Sequence, residues 1–167
     1  MSQAFDNMFL VDGAAETAAR ASGSGGRPTG EAQTLYEATR GGVAIHLEAY
    51  ASEPVRLDRD NGFPGVDLMR LSAPGIWYVR VLFKPAVQAV AFTYLSGSEH
   101  ELNCLTSDGA PIEGSPETGW VPHWKLGLRT VNLRRVGPIG IVEYYCGRAG
   151  AGPRPDALWL APFRIIA

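Results

Sequence analysis

Candidate chemistry in this chain is sparse, and its densest stretch is the loop from Gly114 to Lys125. That loop sets Trp120, His123 and Trp124 among Pro116, Gly119 and Pro122. Aromatic rings on a proline-fixed loop stack on sugars or fill a partner's pocket at low entropic cost, so these three are the candidate ligand-binding residues. The competing expectation is that both indoles cap the open end of a core. Asp58-Arg59-Asp60-Asn61-Gly62 carries oxygen ligands at alternating positions before a glycine, as calcium loops do, which makes Asp58 and Asp60 candidate calcium ligands. An EF-hand needs a further ligand where Gly62 stands, and an ordinary Asp/Asn/Gly turn fits the same residues.

Nothing else converges. His46, His100 and His123 are dispersed, with no His-x-His or His-x-x-x-His pair of the kind zinc sites use. Ser96, Ser98 and Ser107 lack the Gly-x-Ser-x-Gly elbow of hydrolases. Glu99, Glu101, Glu113, Glu117 and Glu143 offer carboxylates for glycosidase chemistry, but the sequence singles out no pair. Binding or assembly is the expectation, and no catalytic residue is assigned.

Composition sets the frame for these side chains. A chain of 167 residues, 46% hydrophobic and 19% charged, is one domain's worth with enough apolar mass for a core. Twenty glycines and 12 prolines favour many turns over long helices. A net charge of -2 gives no basic footprint for nucleic acid, and the cluster of Arg129, Arg134 and Arg135 is too small to change that. No apolar run approaches the roughly 18 residues of a membrane span, so no membrane insertion is expected. The first residues lack a basic stretch followed by an apolar one, which points to a cytoplasmic or particle-associated protein. Cys104 and Cys146 fall on separate expected strands, as two buried thiols or a cross-strand disulfide.

The elements divide into an N-terminal arm, residues 1–42, and a β-domain, residues 43–167. The arm holds an apolar patch of Phe5, Met8, Phe9, Leu10 and Val11, then a Gly/Ser hinge from Ser22 to Gly26. Asp12 is placed to cap a short helix through Ala19. Thr29 is placed to cap a second over Glu31 to Arg40, where Ala32, Leu35, Tyr36 and Thr39 share a face and Gly41-Gly42 ends it. The patch is too apolar for a loose tail. It folds back onto its own chain or, as the leading expectation, the hinge lets it reach a neighbouring subunit.

From Val43 onward the pattern alternates. Val43, Ile45, Leu47 and Ala49 share one face, as do Trp77, Val79, Val81 and Phe83, because successive strand side chains point to opposite sides. Lys84-Pro85 marks a turn into Val87 to Leu95, with Val90, Phe92 and Tyr94 inward. Glu101 to Thr106, Leu126 to Leu133, Ile139 to Cys146 and Leu158 to Ile166 follow, with Trp159, Phe163 and Ile165 inward in the last. Val66 to Leu71 is a weaker strand, and Pro162 belongs at a bulge or edge. Such strands with turns between them predict an all-β fold, an antiparallel two-sheet β-sandwich or jelly roll.

The run Val87 to Tyr94, the strand Glu101 to Thr106 and the turn Ser107-Asp108-Gly109 resemble a galactose-binding-like jelly roll. The end of the chain is similar too, with Ile141 to Tyr145, Gly150-Ala151-Gly152 and then Asp156 ahead of Ala157-Leu158-Trp159-Leu160. This likeness spans roughly Val55 to Ile166 and is one of pattern. It implies a β-sandwich module, and it implies that Asp156 joins Asp58 and Asp60 as a holder of structural calcium, the one cofactor in view. Two functions therefore stand as expectations. The first is a non-catalytic subunit of a virion or other particle, a homo-oligomer or a partner to other subunits, docked through its arm. The alternative is a carbohydrate-binding, lectin-like module with a glycan partner.

Overall fold

Hydrophobic alternation builds two facing sheets. The computed structural model describes residues 8–11, 19–21, 32–51, 53–60, 68–74, 77–113, 119–122, 127–133, 137–146 and 157–167. The strands are β1 (Phe9–Val11), β2 (Ala19–Ala21), β3 (Gln33–Arg40), β4 (Val43–Ala51), β5 (Arg56–Asp60), β6 (Leu68–Ser72) and β7 (Trp77–Val87). They continue as β8 (Ala89–Ser96), β9 (His100–Leu105), β10 (Gly119–Val121), β11 (Leu128–Asn132), β12 (Ile139–Cys146), β13 (Ala157–Leu160) and β14 (Phe163–Ile166). One sheet pairs β1-β14-β8-β13-β6-β5, with β11 also on β8; the other runs β10-β9-β12-β7-β4-β3-β2. Among the described residues every pairing is antiparallel except β1 with β14. The described chain is an all-β, two-sheet sandwich.

The core lies between the sheets. Ile45, Leu47, Trp77, Val79, Val81 and Phe83 on one side face Val90, Phe92, Tyr94, Phe163 and Ile165 on the other, all of them buried. Phe92 and Phe163 stack with ring centroids 4.3 Å apart, an aromatic pair at the centre of the packing. The alternation read from Val43 to Ala49 and from Trp77 to Phe83 is the one the structure uses. Strand β7 does not turn at Lys84-Pro85; it runs on to Val87, and a bend at Gln88 leads into β8.

Two expectations are corrected. Residues Gln33 to Arg40 are strand β3, not a helix. Gly41 and Gly42 both have positive φ, 54° and 77°, so they form the two-residue loop of a tight hairpin into β4 and do not cap a helix. The helical spacing of Leu35, Tyr36 and Thr39 has a strand cause: the β3–β4 register shifts between Thr34 and Tyr36, which leaves Leu35 and Tyr36 both buried. Gln33 is buried as well, and its amide exchanges two 2.8 Å hydrogen bonds with the backbone of Val55. The helix expected from Asp12 lies mostly outside the described residues, and Ala19 at its end belongs to strand β2.

The second correction is Trp159. Leu158 and Leu160 fill the main core, while Trp159 is buried with Leu68, Ala157 and Ala161 in a separate cluster. The break at Ala161-Pro162 shifts the alternation, so Phe163 and Ile165 point inward again beyond it. Of the two expectations for the cysteines, the register excludes the disulfide. Cys104 is a buried thiol opposite Val142, whereas Cys146 lies opposite His100. Four residues along a strand are about 13 Å, beyond the ~7 Å Cα separation a disulfide spans.

Candidate ligand-binding face

The outward face of the second sheet carries a row of aromatic side chains assembled by strand register. Tyr50 on β4 is opposite Tyr78 on β7, and Tyr78 is opposite Tyr145 on β12. Tyr145 is opposite Glu101 on β9, and Glu101 is opposite Trp120 on β10. Directly paired residues in a sheet share a face, so these five run across the strands on one side. Tyr50 and Tyr78 stack at 4.4 Å with planes 12° apart, and Tyr145 follows 6.2 Å from Tyr78. Tyr145 is 37% exposed and Trp120 is 46% exposed.

A polar row lies one face-position away. Thr34, Glu48, Arg80, Glu143 and Asn103 are successive cross-strand partners, each two residues from the aromatic row on β4, β7, β12 and β9. Arg80 is the centre. Its Nε donates to Glu143 Oε2 at 2.6 Å, and its guanidinium lies 5.7 and 5.4 Å from the ring centroids of Tyr50 and Tyr78. Partial burial disfavours its charge, but the Glu143 carboxylate outweighs that and holds its pKa above the ordinary value. Tyr50 donates its hydroxyl to Glu48 at 2.9 Å; burial first, and that carboxylate second, push its pKa up to about 12. Both side chains therefore keep fixed protonation states through the physiological range. At the margin, His46 contacts Glu37 at 3.0 Å and Glu48 at 3.4 Å.

The chemical consequence is a rigid face with ring surface in one row and fixed donors and acceptors in the next. The chemistry of such a face suits a ligand that is apolar on one side and hydroxyl-rich at the edge. Beside the polar row, the Thr34 hydroxyl lies 3.5 Å from His46 Nε2. Among the described residues no group of His, Cys, Asp or Glu is placed to hold a metal ion.

The residues singled out from sequence fall as follows. Trp120 lies on strand β10 and not on a loop, with its ring exposed at one end of the row. His123 and Trp124 lie outside the described residues, as do Phe5 and Asp156. Asp58 and Asp60 lie on strand β5, while Asn61 and Gly62 of the same stretch lie outside the described residues; Asp58 is opposite Arg70, and Asp60 accepts the Trp159 indole N–H at 2.9 Å. Met8, Phe9 and Val11 are buried in the core of their own chain, while Leu10 is 39% exposed. Sequence reading missed Tyr50, Tyr78, Arg80 and Tyr145 as site residues, and named Glu143 only as one of five carboxylates with no pair singled out. A signal existed: Glu48-Ala49-Tyr50, Tyr78-Val79-Arg80 and Glu143-Tyr144-Tyr145 each put a tyrosine and a charge two apart on one strand face.

Inside the sandwich a second polar group works differently. His100 is 1% exposed; its Nδ1 lies 2.9 Å from the Ser98 carbonyl and its Nε2 lies 2.7 Å from the Tyr94 hydroxyl. One neutral tautomer satisfies both contacts, with Nδ1–H donating to Ser98 and Nε2 accepting from Tyr94. Burial is the main cause of a pKa driven down to about 4; the Ser98 carbonyl opposes it and the Arg129 charge adds to it. An unfolded histidine titrates near 6.5. Its contribution to stability is therefore complete above about pH 6.5 and is lost as pH falls toward 4, a change of about 3 kcal/mol. Urea unfolding at pH 7 and pH 4.5 should show this loss, and His100→Gln should flatten the profile between them. An equal acid slope in the variant would assign the sensitivity elsewhere.

No family model matches this chain, and no curated protein matches it. Among solved structures it is similar to a mutant of CBM29-2, a family 29 carbohydrate-binding module, over 87% of this chain and 88% of that one. Identity is 11% and the TM-score is 0.28. A likeness that distant aligns no residue of one site with the other. The class of protein defined by the strand pairing itself is a two-sheet β-sandwich.

Proposed function

We propose that this protein is a non-catalytic carbohydrate-binding module whose site is the outward face of the β10-β9-β12-β7-β4-β3 sheet. The observation that carries the reading is the row Tyr50, Tyr78, Tyr145, Glu101, Trp120 lying beside the polar row centred on Arg80. Sugar rings present C–H faces that pack on aromatic surfaces, and hydroxyl edges that need donors and acceptors in a fixed direction. The Arg80–Glu143 pair and the Tyr50–Glu48 hydrogen bond supply both from strands held on each side. The resemblance of the later strands to galactose-binding-like jelly rolls points the same way. A glycan array probed with the full chain, followed by tryptophan fluorescence titration of the hits, tests the reading. Binding to at least one glycan class with a change in Trp120 emission is expected; a blank array removes it.

The second reading is an assembly role through the N-terminal segment, as a subunit of a larger particle. Leu10 and Ile166, both exposed and on the adjoining strands β1 and β14, favour it. Sedimentation over rising concentration tests it, and a monomer throughout would count against it.

A further inference from the structure

Resting on the glycan-binding reading, we infer that the face takes an extended, uncharged oligosaccharide laid across the strands, not a single sugar and not an anionic polymer. Length is the first argument. From Tyr50 to Trp120 the row crosses from β4 through β7, β12 and β9 to β10, about 19 Å at ~4.8 Å per strand step. The rings are not evenly placed along it. The stacked pair Tyr50–Tyr78 occupies one end, Tyr145 the middle, and Trp120 stands two strands further on, beyond Glu101. A pyranose unit is about as wide as one ~4.8 Å strand step, so the row matches about four to five consecutive units, with Tyr145 and Trp120 about two units apart. A lone sugar would cover one platform and leave the rest in water.

Charge is the second argument. By register Glu37, Glu48, Glu101 and Glu143 lie on this face with Arg80 and Lys84, and Arg20 takes the position opposite Glu37 at the far edge on β2, leaving Glu101 with no cation at a directly paired position. Arg80 is already engaged by Glu143 and by the two tyrosine rings, so it acts as a hydrogen-bond donor at a fixed place more than as an open anion receptor. A polymer carrying a carboxylate on each unit would set one of them near Glu101, midway between Tyr145 and Trp120. Like charges brought together on this sheet face oppose binding.

The test is a calorimetric titration of the full chain with β-1,4-linked glucose oligomers from dimer through hexamer, alongside oligogalacturonate of matched length. Affinity should climb with each unit and level off at the tetramer or pentamer, with the oligogalacturonate at least about tenfold weaker. Trp120→Ala should remove about tenfold from the pentamer and hexamer while leaving the dimer within about twofold of the parent, because the short ligand is held at the tyrosine end. Saturation at the dimer, preference for the anionic series, or an equal loss at every length in Trp120→Ala would overturn this inference while the glycan-binding reading stands. Absence of binding to these oligomers with a positive array for another glycan class would overturn the ligand proposed here alone. Absence of binding to any glycan would overturn both.

Discussion

Phe9→Ala is expected to lower the unfolding free energy by about 3–5 kcal/mol, although Phe9 lies in a stretch that reads as a terminal arm. The reason is its surroundings. Phe9 is fully buried, with ring centroids 5.1 Å from Tyr36 and 5.0 Å from Phe163, so it bridges the two sheets. Its strand is fastened as well: β1 pairs in parallel with β14 from Phe9↔Phe163 to Val11↔Ile165, and Phe163 N–H donates to the Met8 carbonyl at 2.7 Å. Removing the ring leaves a void that three packed elements cannot all close. Chemical denaturation of Phe9→Ala beside Leu10→Ala separates the cases, since exposed Leu10 should cost well under 1 kcal/mol. A Phe9→Ala variant as stable as the parent would mean that the arm spends its time away from this core.

Tyr145→Ala carries the largest expected effect on ligand binding, about a 30-fold loss of affinity, the ~2 kcal/mol of a central contact residue. Tyr145 sits mid-row between the Tyr50–Tyr78 stack and Trp120, and its exposed ring is not part of the core. Its removal should leave the denaturation midpoint nearly unchanged, which separates lost binding from lost folding. A variant that binds glycan as the parent does would place the contact surface elsewhere on the molecule.

Much of the sandwich was legible because alternation is a local property. Val43 to Ala49 and Trp77 to Phe83 each bury every second residue without interruption, so period two is enough to assign their faces. Reading failed where parity breaks. The register shift near Leu35 turns a strand pattern into one that mimics a helix, and Gly41-Gly42 serves equally as a helix stop or a hairpin loop until its partner strand is known. Pro162 resets the alternation between Leu160 and Phe163, which moved Trp159 to the other face. Trp120 was picked out as an aromatic in a turn-rich stretch, yet its ring belongs to a strand edge. The candidate site was the least legible part for a plain reason. Tyr50, Tyr78 and Tyr145 come from distant stretches of the chain, and only the pairing of β4, β7 and β12 brings them side by side.

The arm shows the same limit from another direction. An apolar patch before a Gly/Ser run states that something must cover it, without stating what. Composition cannot distinguish a core from a neighbour, because burial of Phe9 yields the same hydrophobic gain in either place. The parallel pairing with β14 is a long-range fact that no local pattern encodes.

The central claim is that the outward tyrosine–arginine face holds the ligand, and a two-dimensional amide NMR titration with an array-positive glycan tests it most directly. The account predicts that the largest shifts fall on Tyr50, Tyr78, Arg80, Glu101, Trp120 and Tyr145, with the strands of the opposite sheet, such as Val90 to Tyr94, unmoved. Shifts concentrated on that opposite sheet, or on chain segments away from this face, would contradict it.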